Sequence, residues 1–134
     1  MTARLGAIAA ATLAALALLG WLLWPSRPAA TALHSGTARY TVNATIDPPR
    51  IGDAAITIDL ATRASNPATA TVSVEAVMPL MGFATPALPA TGANGHYTVA
   101  DVPLMMTGPW ELHVSIADQT GDTDDLTLPF TVTG

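Results

Sequence analysis

From residue 39 onward, apolar side chains recur at every second position, and that single feature restricts the chain to half-buried β-strands. RYTVNATI (39–46) places Tyr40, Val42, Ala44 and Ile46 on one face. After the turn DPPRIGD, AAITIDLAT sets Ile56, Ile58 and Leu60 against Thr57, Asp59 and Ala61. TATVSVEAVM aligns Val72, Val74, Ala76 and Met78. WELHVSIA aligns Trp110, Leu112, Val114 and Ile116, and LTLPFTVT aligns Leu126, Leu128, Phe130 and Val132. Pro, Gly, Asn and Asp stand at the joints, and no helical period occurs past residue 24. The expected fold is all-β: an antiparallel β-sandwich of about seven strands over residues 39–134. Pro129 cannot donate to a ladder, so the last strand belongs at a sheet edge.

The N-terminus obeys a different rule. Residues 5–24, LGAIAAATLAALALLGWLLW, carry no charge and are dominated by Ala and Leu. As a helix this run is about 30 Å long, the thickness of a bilayer's hydrocarbon core. Trp21 and Trp24 stand where an aromatic belt would lie. One N-terminal transmembrane helix is therefore expected in residues 1–24, with residues 5–24 in the membrane. A cleaved signal peptide is the rival reading, since ATA at 30–32 would serve a signal peptidase, but its apolar run would ordinarily be shorter. Either way the β-domain is exported, to the periplasm or cell exterior. Residues 25–38, PSRPAATALHSGTA, have no apolar period and read as a tether.

Charge narrows the function. Beyond residue 24, four arginines face ten acids, a formal charge of −6, and there is no lysine. Nucleic acid is excluded as a partner, because it requires clustered cations. With no cysteine, disulfide and thiolate chemistry are unavailable. The histidines, His34, His96 and His113, fall in the tether, a turn and an outward strand position. No nucleophile elbow or phosphate-cradling motif accompanies them, so neither an enzyme nor a small-molecule substrate is expected. The acidic segment DQTGDTDD (118–125) lacks the spacing of a calcium loop and reads as a solvated hairpin turn.

The methionines are left. All four internal ones fall in MPLMGF (78–83) and LMMTGPW (104–110). Thioether sulfur is soft and neutral and favours Cu(I), so Met78, Met81, Met105 and Met106 form a candidate metal site, with His96 either a nearby nitrogen donor or simply a residue of the Asn94-Gly95 turn. Alternation gives the opposing reading for two of them. Met78 continues the inward series of its strand, and Met106 continues Val102 and Leu104 ahead of Trp110. In that role Met fills gaps and contacts aromatic rings. Met105 and Met106, as neighbours, would face opposite sides of a strand. Met81 and Met105 are the two that the core explains least.

The series Met78-Pro79-Leu80-Met81, Gly95 and Tyr97, Val102 to Met106, then Gly108, Trp110, Leu112 and Val114 resembles the YtkA-like domain family over roughly residues 50–117. An N-terminal anchor followed by a small sandwich is also similar to FixH-like proteins, linked to assembly of copper-containing oxidases. The resemblance implies a small exported immunoglobulin-like domain associated with copper or respiratory proteins. It also implies a departure: where the family carries His after the second Met, this chain has Phe83. The expected function is a membrane-anchored, non-enzymatic domain that binds or delivers Cu(I) to a membrane protein partner. The alternative is a metal-free interaction module docking through Met81, Phe83 and Trp110.

Overall fold

The computed structural model describes residues 2–23 and 29–134. One helix, α1 (Thr2–Leu22), precedes ten strands: β1 (Thr31–Gly36), β2 (Tyr40–Asp47), β3 (Gly52–Thr62), β4 (Thr71–Met78), β5 (Phe83–Ala84), β6 (Leu88–Pro89), β7 (Thr91–Ala93), β8 (His96–Leu104), β9 (Gly108–Ala117) and β10 (Thr123–Val132). Seven of these are six residues or longer; the other three are short pieces of a Pro-rich stretch. Described side chains of α1, such as Leu13, Leu16, Leu19 and Trp21, are exposed. Among the described residues no helix is long and apolar enough to cross a membrane. Trp24 and the side chains of residues 5–7, part of the span expected from sequence, lie outside the described residues.

Two sheets stack face to face. One runs β1-β2-β3-β8-β7, and the other runs β10-β9-β4-β5, with β6 also paired to β4. All of the strand pairs are antiparallel. Leaving β1 aside, β2-β3-β8-β7 against β10-β9-β4 reproduces the ABED and GFC arrangement of immunoglobulin domains. The inward faces supply one core: Val42, Ile46, Ile56, Ile58 and Leu60 from one sheet, Val72, Val74, Trp110, Leu112 and Ile116 from the other. Pro129 does lie in an edge strand, paired only toward β9 at Glu111.

Residues 31–36 correct the expectation of a tether over 25–38. They form β1, in register with β2 from Thr31↔Ile46 to Gly36↔Thr41. An edge strand held mainly by its ladder needs little apolar content, and here only Leu33 packs on the core, so no period of two marks it. Strand β8 hides its period for another reason. Ala54 pairs with Val102 but Ile56 with Val99, so β8 carries an extra residue, with Asp101 at φ 56°. This bulge moves the buried series from Tyr97 and Val99 to Val102 and Leu104. The β7–β8 turn is Asn94-Gly95, both with positive φ, the preferred pair for a tight hairpin.

One ionic clamp ties the sheets at the far edge. The Arg39 guanidinium donates to Asp118 at 2.5 Å and also to Asp124, which further accepts the Thr37 hydroxyl at 2.5 Å. Asp118 Oδ1 in turn accepts the Thr120 hydroxyl at 2.6 Å and the Thr120 amide at 2.8 Å. These bonds, the Thr120 hydroxyl first, hold the Asp118 carboxyl down to about 2, and Arg39 lowers Asp124 as well. A carboxylate depressed by folding stabilises the native state above its unfolded pKa and loses that contribution as pH falls through the folded value. The thermal midpoint is therefore expected to drop between about pH 4 and about pH 2. Arg39→Gln should flatten that drop in a pH series of melts; an unchanged pH profile would show the clamp to be energetically silent.

Candidate metal centre

Antiparallel pairing decides which methionines share an end of the sandwich. Strand β4 ends at Met78 beside the start of β9, since Val77 pairs with Glu111. Strand β8 ends at Leu104, beside Gly52 of β3, and residues 105–107 lead directly into β9. Both methionine segments therefore lie at one pole, together with the β2–β3 turn and the C-terminus of β10. Thr133 and the 49–51 turn exchange backbone hydrogen bonds of 3.0 Å, from Ile51 N–H to Thr133 O and from Thr133 N–H to Pro49 O.

The four methionines divide two and two. Met78 is buried at 5 % exposure, the last inward residue of β4. Its Cε comes so near Gly108 that a Cβ there would stand 3.1 Å from it, so the two methionine segments abut. Met106 is half-buried against the core. Its carbonyl accepts the indole N–H of Trp110 at 2.9 Å, which pins the 105–107 link. Met81 ends a single 3₁₀ turn, Pro79–Met81, closed by Gly82 in the left-handed region, and is 63 % exposed. Met105 is 62 % exposed and lines a shallow depression with Ile51, Gly52, Asp53, Pro103 and Leu104. Two sulfurs are thus committed to packing and two face water.

Trp110 supports the floor of this pole. It is 1 % exposed, with the Phe83 ring edge-on at 5.7 Å and the Phe130 ring at 6.5 Å. That placement corrects the apolar patch expected from sequence. Trp110 is unavailable to a partner and Phe83 is half-buried beneath the loop. The exposed large apolar residues at this pole are Ile51, Leu80, Met81 and Met105. Ile51 and Leu80 escaped the sequence reading because each sits in a turn, where no alternation assigns a face.

His96 does not join the methionines. It begins β8, whereas Met105 follows the end of the same nine-residue strand. At about 3.3 Å per residue the two are roughly 30 Å apart. Its Nδ1 instead lies 2.7 Å from Asp59 Oδ1. Sequence proximity misled here, because an extended strand converts a short separation into nearly the full length of the domain. His96→Ala is expected to leave any Cu(I) affinity of the chain unchanged, and a measurable loss would contradict this geometry. Among the described residues no group of three or more His, Cys, Asp or Glu side chains is arranged to hold a metal. The acids of 118–125 belong to the opposite pole, where Asp118 closes its own turn and pairs with Arg39.

Comparison with solved structures agrees with the topology. FetP of uropathogenic Escherichia coli strain F11, in its as-isolated form, superposes with a TM-score of 0.59 at 14% identity, covering 79% of this chain and 97% of FetP. A copper-bound variant of the same FetP gives 0.59 at 12% identity, covering 78% of this chain and 92% of the variant. The soluble domain of PmoD from Methylocystis sp. (Rockwell) gives 0.54 at 14% identity, covering 76% and 98%. No curated protein sequence matches. The family model described as YtkA-like matches residues 34–115, which includes both methionine segments, Phe83 and Trp110, and the chain belongs to that family.

Proposed function

We propose that this chain is an exported, membrane-anchored, non-enzymatic domain that binds Cu(I) transiently through the thioethers of Met81 and Met105 and passes it to a membrane protein. Met106 stands next in the chain to one of these, and Met78 backs the site from within the core. The observation that carries this reading is the gathering of both methionine segments at one pole, with two of the four sulfurs left exposed. Nothing in packing requires a thioether on Met81, since the core of this fold is already closed beneath it by Phe83 and Trp110. Softness suits these sulfurs to Cu(I) over harder cations. Support also comes from the fold neighbours, one of them a copper-bound FetP variant. With Phe83 in place of the family's His, the donor set is thioether alone, which favours easily reversed binding.

The anchor belongs to the same proposal: residues 5–24 hold the domain at the outer face of the cytoplasmic membrane. An anaerobic competition titration of the full chain in detergent, with a chromophoric Cu(I) chelator, tests the metal reading. One equivalent withdrawn from the chelator is expected; no withdrawal above that of detergent alone would refute it.

A further inference from the structure

We infer that the methionine pole rests on the lipid surface of the membrane, with Leu80 and Ile51 as its main contacts. The inference rests on α1 being the anchor proposed above, and not on copper.

The path of the chain fixes which end of the sandwich is nearest the anchor. Strand β1 begins at Thr31, opposite Ile46 and beside the β2–β3 turn that presents Ile51. The domain is therefore entered at the methionine pole. From Leu23, the last described residue at the end of α1, to Thr31 is eight residue steps, at most about 29 Å even when fully extended. Strand β9 alone is ten residues, about 34 Å. The connection is too short to let the domain turn over freely, and its opposite pole points away from the membrane.

The chemistry of the near pole fits a lipid surface. Leu80 is 77 % exposed at the tip of the 3₁₀ turn, followed by Met81, with Ile51 and Met105 on the neighbouring loops. Residues 76–94 and 102–110, which supply two of these loops, contain no charged residue at all. Of the acids, Asp47 and Asp53 flank the β2–β3 turn beside Ile51, where Arg50 offsets one of them, whereas Asp118, Asp122, Asp124 and Asp125 stand together at the other pole. At about 34 Å they lie several Debye lengths, each about 8 Å at physiological salt, from a surface touching Leu80. Their repulsion is screened there. Tethering holds the loops at about millimolar effective concentration, so a small apolar contact is sufficient. Met81 and Met105 share this contact when they carry no metal.

The absence of cysteine makes the test direct. Leu80→Cys, Met105→Cys, Thr120→Cys and Leu16→Cys in the full chain each accept one nitroxide label. Each labelled protein is reconstituted in vesicles of phosphatidylcholine with a minority of phosphatidylglycerol. Relaxation by oxygen, which partitions into lipid, is then compared with relaxation by a water-soluble nickel chelate. Labels at 80 and 105 are expected to favour oxygen severalfold, as the label at 16 does, while the label at 120 favours the nickel chelate. Aqueous labels at 80 and 105 with a lipid-exposed label at 16 would overturn the inference and leave the anchor intact. An aqueous label at 16 would remove the anchor reading and this inference with it. Shielding from both reagents, or spin–spin broadening at 80, would mean that protein or a second copy covers the pole, which also overturns it.

Discussion

Trp110→Ala is expected to remove a large share of the stability of the sandwich. The side chain is enclosed at 1 % exposure, contacts Phe83 and Phe130, and donates to the Met106 carbonyl at 2.9 Å. Truncating a buried Trp costs about 3–5 kcal/mol, because the cavity only partly collapses. Set against a typical domain stability of about 5–15 kcal/mol, that is from about a fifth to all of it. Trp110→Phe separates the two contributions: it keeps most of the ring but leaves the Met106 carbonyl without its donor, at a cost of about 1–3 kcal/mol. Urea titrations followed by far-UV circular dichroism measure both. A Trp110→Ala midpoint near that of the unaltered chain would show that the pole is packed differently. Because this indole pins the 105–107 link, Trp110→Phe should also weaken Cu(I) binding without touching a sulfur.

The second large effect concerns the metal itself. Met81→Leu combined with Met105→Leu should abolish competition for Cu(I) while leaving the unfolding midpoint where it was. Leucine has nearly the volume of methionine and no donor atom, and both positions are exposed, so a stability change beyond about 0.5 kcal/mol is not expected. Met78→Leu makes the informative contrast. Its side chain is buried against Gly108, so the same exchange should cost up to about 1.5 kcal/mol in stability and leave copper competition largely unchanged. If the double variant binds as tightly as its parent, the exposed thioethers are not the ligands. In that case the exposed apolar set at this pole is a docking surface without a metal.

Much of this arrangement is legible in the amino-acid sequence, and the exceptions have specific causes. Strands β2, β3, β4, β9 and β10 each bury one face against the core, so alternation marks them and even places Pro129 at an edge. The same alternation separated Met78 from Met81, since one continues an inward series and the other follows a Pro in a turn. Trp110 belongs to an inward series too, with Leu112, Val114 and Ile116, and that pattern rather than its size decides that it packs in the core instead of docking a partner. Strand β1 left no trace because its stability comes from ladder bonds rather than from buried side chains. Strand β8 was blurred by one inserted residue, and only the pairing with β3 exposes the bulge. Ile51, Leu80 and the distance of His96 depend on which loops converge at which pole. That is a property of topology, on which local periodicity is silent.

The most direct test of the central claim is X-ray absorption at the copper edge of the full chain loaded with one equivalent of Cu(I) under anaerobic conditions. A first coordination sphere of sulfur is predicted, with no imidazole scattering, and it should be lost from the protein in the Met81/Met105 double leucine variant. A sphere dominated by nitrogen, with the outer-shell pattern of histidine, would contradict the account, because the structure keeps His96 at the far end of the domain.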